Sequence, residues 1–220
     1  MNSVHYIIGV QIEEIMGITE RRQKEKEEMK AAILKAAMQL FIEEGYDAVS
    51  IRKIAEKIEY SPSTIYLYFE DKDAIFYELH NVGFKKLQKF QMSVQNIEDP
   101  KERLIAHGRA YLNFALENVE YYDLMFIARA PGTKIVEHKN WDSGMEAFSI
   151  LVKNVSECKN AGYFKNNDPY IISFVFWSMV HGMVSLNIRN RLDVFDHTEK
   201  KFDQKLFFEQ ALKVMNSFIR

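Results

Sequence analysis

The 220-residue chain is poor in the residues that punctuate strands and staple small folds: four prolines, nine glycines and one cysteine. So few turn formers argue against an all-β protein, while the Leu-, Lys- and Glu-rich stretches between them favour helix. The fold class expected is all-α. A single cysteine, Cys158, excludes an intramolecular disulfide; it reads as a small buried apolar side chain in a reducing cytosol. Charge of one sign is also lacking, with 29 basic residues against 31 acidic and a net charge of −2. That removes the simplest mark of a nucleic-acid binder, so any DNA contact has to come from local arrangement. Residues 170–188 form the one uncharged stretch near membrane-spanning length, but Ser173, Ser178, His181, Ser185 and Asn187 interrupt it, and a buried or interface helix is expected there instead. Residues 1–10 contain Tyr6, Ile7 and Ile8 without a preceding Lys or Arg and without a cleavage site, so no export signal is expected.

Catalytic patterns are missing too. No nucleophile with an adjacent base, no glycine-rich phosphate loop and no metal cluster is visible, and His107, His138 and His197 show no ligand spacing. No catalytic residue, cofactor, metal or enzyme activity is expected.

A chain that is 47% hydrophobic and 27% charged has enough apolar material for one moderate core or two small ones. From Met29, the positions Ile33, Leu34, Ala37, Leu40 and Phe41 recur at helical spacing and stop at Gly45. Ser50 then offers an N-cap before Ile51, Ile54, Ala55 and Ile58, one apolar stripe at i, i+3, i+4 and i+7. Ser61 and Pro62 supply a second N-cap and first-turn proline for a short helix through Ile65 to Phe69. Asp71 caps a fourth helix bearing Ile75, Phe76, Leu79 and Val82, which continues as a connector toward Phe90. Beyond residue 95 the helices lengthen and aromatics increase. Asp99-Pro100 and Asp168-Pro169 start two of them; others are expected over 121–128 (ended by Pro131-Gly132), 141–161 (ended by Gly162) and about 201–219. The expected division is a flexible extension over 1–24, a DNA-binding unit over 25–80 and a second helical unit over 81–220.

Two short helices joined by a tight turn and packed on a longer first helix make a helix-turn-helix, in which the second short helix enters the major groove. Ala55, small and on the first short helix, lets the second approach steeply. The exposed face of the second presents Ser63, Thr64, Tyr66 and Tyr68, hydroxyls able to bond phosphates or base edges without net charge. The two N-caps, Ser50 and Ser61, lie at the same helix ends, and Arg52, Lys53 and Lys72 add positive charge there. Arg21, Arg22, Lys24 and Lys26 are interleaved with Glu20, Glu25, Glu27 and Glu28, so a DNA contact and a solvated face are equally open.

The segment Ser50-Ile51-Arg52-Lys53-Ile54-Ala55, followed by Ser61-Pro62-Ser63-Thr64-Ile65-Tyr66-Leu67-Tyr68-Phe69-Glu70-Asp71-Lys72, resembles the TetR family of regulators over residues 29–80. The resemblance implies operator binding, with Tyr66, Tyr68 and Lys72 on phosphates and Ser63 and Thr64 nearest the bases. It also implies a ligand-binding and dimerising C-terminal domain. Where the family commonly has Gly in the turn and then a small aliphatic residue, this chain has Glu59 and Tyr60; a positive φ at Glu59 would cost about 1 kcal/mol. Met16 with Gly17-Ile18-Thr19 resembles an ordinary beginning for the family, and residues 1–15 read as an added extension.

The C-terminal part is similar to the family more faintly, through residues 121–126 and through Trp177 with His181-Gly182, which resembles a subgroup named for Trp, His and Gly. By that resemblance the last two helices pair with those of a second copy. Met179, Met183 and Leu186, at i, i+4 and i+7, mark an apolar stripe for that contact. The aromatics and methionines of this part include Phe126, Met145, Phe174 and Met183, and residues selected from this part as cavity-lining are Phe114, Tyr121, Met125, Trp141, Phe148, Trp177 and His181. His181 taken alone reads as a satisfied core or interface histidine. The expected function is a cytoplasmic, ligand-responsive repressor, homodimeric on operator DNA and answering to an apolar small molecule, with no membrane partner. The alternative is a DNA-bound adaptor that recruits a protein without a small effector.

Overall fold

The computed structural model describes residues 2–127, 142–192 and 203–220, with side chains from Thr19 onward. Among the described residues the chain is helical, and it divides into two compact units, residues 1–78 and 79–220.

The first unit holds α1 (Asn2–Glu44), a 3-10 turn (Tyr46–Ala48), α2 (Ile51–Lys57), α3 (Pro62–Tyr66) and the start of α4 (Lys72–Met92). A helix thus stands over residues 2–24, where composition predicts a flexible extension. Along it Arg21 pairs with Glu25 and Lys24 with Glu28, both exposed i,i+4 pairs of the kind that favour a helix without a core. From Ile33 the inward face is buried, and Ile33, Ala37 and Phe41 are covered along with Ile54, Ala55, Ile65 and Ile75 of the following helices. Phe41, Tyr46 and Phe76 pack ring against ring at centroid distances of 5.1–5.6 Å. Gly45 ends α1 at φ 83°, a conformation open to glycine.

The turn between α2 and α3 is a Schellman motif. Glu59 N–H donates to the Glu56 carbonyl (3.2 Å) and Tyr60 N–H to the Ala55 carbonyl (3.0 Å), with Glu59 at φ 61°. The condition under which Glu59 would carry strain, a positive φ, is therefore met.

In the second unit the remainder of α4 is followed by α5 (Pro100–Glu117), α6 (Val119–Tyr122), a single π turn (Asp123–Ile127), α7 (Asp142–Asn160), α8 (Pro169–Ile188) and α9 (Gln204–Phe218). Carboxylates start the helices as their sequence positions require: Asp99 accepts from Glu102 N–H (2.8 Å), Asp168 from Tyr170 N–H (2.8 Å) and Asp203 from Leu206 N–H (3.0 Å). The α5 helix packs against α7, α8 and α9, and Leu104, Tyr111, Leu112 and Phe114 are buried in that setting. Among the described residues α8 is the one helix long and apolar enough to cross a membrane; here Ile172, Phe176, Val180 and Val184 face the core. Cys158 is a buried free thiol whose Sγ donates to the Pro100 carbonyl (3.0 Å), and burial pushes it up to about 11.

Two buried histidines couple this unit to pH. His80 and His107 are each lowered to about 4 by desolvation, opposed at His80 by a hydrogen bond with the Leu124 backbone. Both are neutral in the fold, whereas an unfolded imidazole titrates near 6.5. Stability from this source is complete above pH 6.5 and is lost as pH falls from 6.5 toward 4, by roughly 3 kcal/mol per histidine at the lower end. Denaturant titrations across that window should show the loss, and about half of it should disappear in His107→Gln; a flat profile would contradict the buried neutral assignment. Glu59→Gly should raise the unfolding free energy by up to about 1 kcal/mol, because the Schellman geometry remains while the left-handed strain goes. A destabilised Glu59→Gly variant would show that the Glu59 side chain outweighs its backbone strain.

Candidate nucleic-acid interface and effector cavity

The two short helices are held by their own hydroxyls. Ser50 Oγ accepts from Lys53 N–H at 3.3 Å, and Ser61 Oγ accepts from Thr64 N–H at 3.2 Å while lying 3.0 Å from Thr64 Oγ1. Ser50 and Ser61 therefore act first as caps. On α3 the inward residue is Ile65; Ser63 and Tyr66 are exposed, and Thr64 and Tyr68 half-buried. These four hydroxyls share one short, outward-facing segment.

The basic candidates are more committed than the sequence suggests. Arg52 pairs with Glu56 at 2.9 Å, Lys53 with Glu44, and Lys57 with Glu43 at 3.8 Å. Arg52 and Glu56 are both largely exposed, so their pairing is weak and an incoming phosphate competes with it readily. Lys72 is half-buried: its ammonium donates to the Tyr46 carbonyl at 2.8 Å and sits 4.0 Å above the Tyr46 ring. It anchors the start of α4 on the 3-10 turn, a role that spacing along the chain does not reveal.

Within the second unit a cavity of about 160 Å³ opens between α4, α5, the π turn, α7 and α8. Its wall is almost wholly apolar and strongly aromatic, with Phe84, Tyr111, Phe126, Phe148 and Trp177 among the lining residues and no charged side chain. Of the seven residues expected there, Phe148 and Trp177 line it; Trp141 lies outside the described residues. The other four do not line it. Phe114 is fully buried against Phe90, Met125 lies where a Cβ on Gly83 would come 2.4 Å from its sulfur, and Tyr121 carries Lys86 over its ring.

His181 stands one layer behind the wall. Its Nδ1 is 3.1 Å from the Tyr111 hydroxyl and 3.0 Å from that of Tyr122, while Trp177 Nε1 donates to Tyr111 at 3.3 Å. Burial lowers its pKa, which suits a neutral ring whose one Nδ1 lone pair accepts from Tyr111, while the Tyr122 hydroxyl donates to the His181 carbonyl at 3.1 Å. His181 thus orients two wall residues, Tyr111 and Trp177, instead of forming the wall.

The polar part of the wall is Gln91 with His107. The Gln91 amide nitrogen is 3.2 Å from His107 Nε2 and donates to the Ala147 carbonyl at 3.2 Å, while the Asn154 amide lies 3.0 Å from Nδ1. Both amides present their nitrogens to the ring, and a neutral imidazole has one free lone pair, so it accepts from one of the two. Neither Gln91 nor His107 stands among the expected site residues, because the end of α4 reads as a mere connector and along the sequence His107 is considered only as a metal ligand. The signal was there in Phe84, Leu87 and Gln91, which fall at i, i+3 and i+7 and share one face.

The outer faces of α8 and α9 are exposed and apolar, with Ile171, Phe174, Val175 and Leu186 on the first and Leu206, Val214 and Phe218 on the second. The stripe expected at Met179, Met183 and Leu186 is corrected: both methionines pack against the core and only Leu186 faces out. The exposed row is instead Ile171, Phe174, Val175, Ser178 and Leu186, rotated from the expected one because both methionines are partly buried against the core. Gly182 lies on that row's path, and a Cβ added there would meet nothing within 4 Å.

Two family models match, one described as bacterial regulatory proteins of the tetR family over residues 33–79, the other as a tetracyclin repressor-like C-terminal domain over residues 104–208. The HTH-type transcriptional regulator HbdR of Aromatoleum sp. (strain CIB) is 26% identical over 70% of this chain and 68% of its own. The HTH-type transcriptional regulator QacR of Staphylococcus aureus is 25% identical over 80% of this chain and 95% of its own. In fold, the fatty acid degradation regulator FadR from Bacillus halodurans superposes with a TM-score of 0.69 at 16% identity, covering 87% of this chain and 96% of that one. With the first model on the helix-turn-helix and the second on the helices that enclose the cavity, the chain belongs to the TetR family of helix-turn-helix transcriptional regulators.

Proposed function

We propose that this regulator is a cytoplasmic, ligand-responsive repressor that acts by binding and not by catalysis. It works as a homodimer joined through α8 and α9, with Ser63, Thr64, Tyr66 and Tyr68 on operator DNA and Ser50, Arg52, Ser61 and Lys72 supporting them at the helix ends. The observation that carries this reading is the aromatic cavity in the C-terminal unit. At about 160 Å³ it is close in size to a hydrophobic cavity of about 150 Å³ that stays dry and takes up benzene. An uncharged molecule of about one ring suits it, since a charged one would enter without a counter-charge on the wall. The adaptor reading has no use for such a cavity. Binding that favours one arrangement of the dimer shifts the spacing of its recognition helices and so releases the operator.

The exposed apolar row on α8 supports the homodimer, because so much adjacent apolar surface is costly to leave wet and a two-fold axis buries it against its own copy. Leu186→Arg should then place an unpaired charge in a desolvated contact and split the dimer at micromolar concentration, with loss of operator binding and an unchanged helical circular dichroism spectrum. A folded Leu186→Arg dimer in sedimentation would put this residue outside the interface. For the effector, native mass spectrometry and a thermal-shift screen of uncharged aromatic compounds should detect a ligand for the wild type. Leu87→Trp, which fills the cavity, should abolish that binding while keeping operator affinity. If wild type and Leu87→Trp respond alike to every compound, the ligand-responsive reading gives way to the adaptor.

A further inference from the structure

Leu67 is the most exposed large apolar residue described, with 78% of its surface open, and it sits on the recognition segment. Its backbone is still helical (φ −72°, ψ −17°), with its N–H donating to the Thr64 carbonyl at 3.2 Å. Helix geometry fixes what it shares a face with. Ile65, two residues earlier and so roughly on the opposite side, is fully buried, whereas Ser63, one turn earlier at i−4, is exposed like Leu67. Tyr66 beside it is 57% exposed.

A lone surface leucine generally needs no explanation. This one differs by its place. The outward face of α3 is otherwise built of hydroxyls, each able to bond water in the free protein and DNA in the complex. Leu67 alone on that face gains nothing from water and has no hydrogen bond to offer a phosphate. The major groove of B-DNA offers one apolar group projecting from a base edge, the C5 methyl of thymine. We propose that Leu67 is a specificity residue that reads a thymine methyl in the operator half-site, one turn beyond Ser63. The reading rests on DNA binding by the helix-turn-helix and adds to it a residue that contributes no phosphate contact and therefore no salt dependence.

The test begins with duplexes selected from a random-sequence pool by the full-length wild-type protein. Each thymine of the selected operator is then replaced singly by uracil, which removes the methyl and nothing else, and affinities are measured for wild type and Leu67→Ala. Burial of one methyl corresponds to about a fourfold change in affinity. At one thymine per half-site, or two adjacent ones, uracil should weaken wild type by about that factor. Leu67→Ala should bind the thymine operator as weakly as wild type binds the uracil one, and should be indifferent to the exchange there. Its salt slope and melting temperature should match wild type. Equal sensitivity of both proteins at every thymine, or a uniform loss in Leu67→Ala whatever the sequence, would overturn the proposal and place Leu67 on the sugar-phosphate backbone. Failure of the wild type to select any duplex would instead sink the DNA-binding reading on which it rests.

Discussion

The enclosure of α5 is the constraint on which the C-terminal unit depends. Ten of its eighteen residues are buried, and helices pack around it on several sides, so each neighbour must offer an apolar face and each polar group on α5 must be satisfied inside. Arg103 does this in part, pairing with Glu157 and donating to the Ile97 carbonyl while its buried Nε has no partner among the described residues. His107 does it by losing its charge and bonding two amides. Gly108 is small for a related reason: a Cβ there would stand 3.3 Å from Leu212 and 3.4 Å from Val180, a tight fit where α8 and α9 close on α5.

The cavity is what this arrangement leaves unfilled. Large rings from α4, α5, the π turn, α7 and α8 meet at their edges, with Phe126 and Trp177 at 6.1 Å and Phe148 and Trp177 at 6.2 Å, and rigid planes cannot close the space between them. The π turn joins the cavity to its surroundings. Phe126 lines the cavity, while its neighbours Met125 and Leu124 meet α4 at Gly83 and His80. Phe126 is thus preceded in sequence by residues that touch α4 within the same unit.

The helix-turn-helix rests on different physics. Its helices are too short to be stable alone, and they persist because caps, a Schellman turn and one shared core act together. Glu59 accepts backbone strain at the turn, and Lys72 gives up freedom to brace Tyr46. The outward face of α3 is left nearly free of intramolecular commitments, which is the condition for it to meet a partner.

Much of this was legible along the chain. Helix class, the starts at Ser50, Ser61, Asp99 and Asp168 and the stop at Gly45 all follow from groups within about four residues of each other, the range over which a cap or a helical stripe acts. The DNA-binding module is readable for the same reason, since its whole pattern fits within residues 33–79. What the chain order does not contain is rotation: which side of α8 faces the core, and so why Met179 and Met183 are partly covered while Ile171 and Val175 are exposed. Nor does it contain the seat of Lys72 on Tyr46, 26 positions away, or the choice of Phe148 and Trp177 over Phe114 and Met125 as cavity wall. A cavity is the space left after the surrounding helices have found their crossing angles, and those angles are set by contacts between residues far apart in sequence.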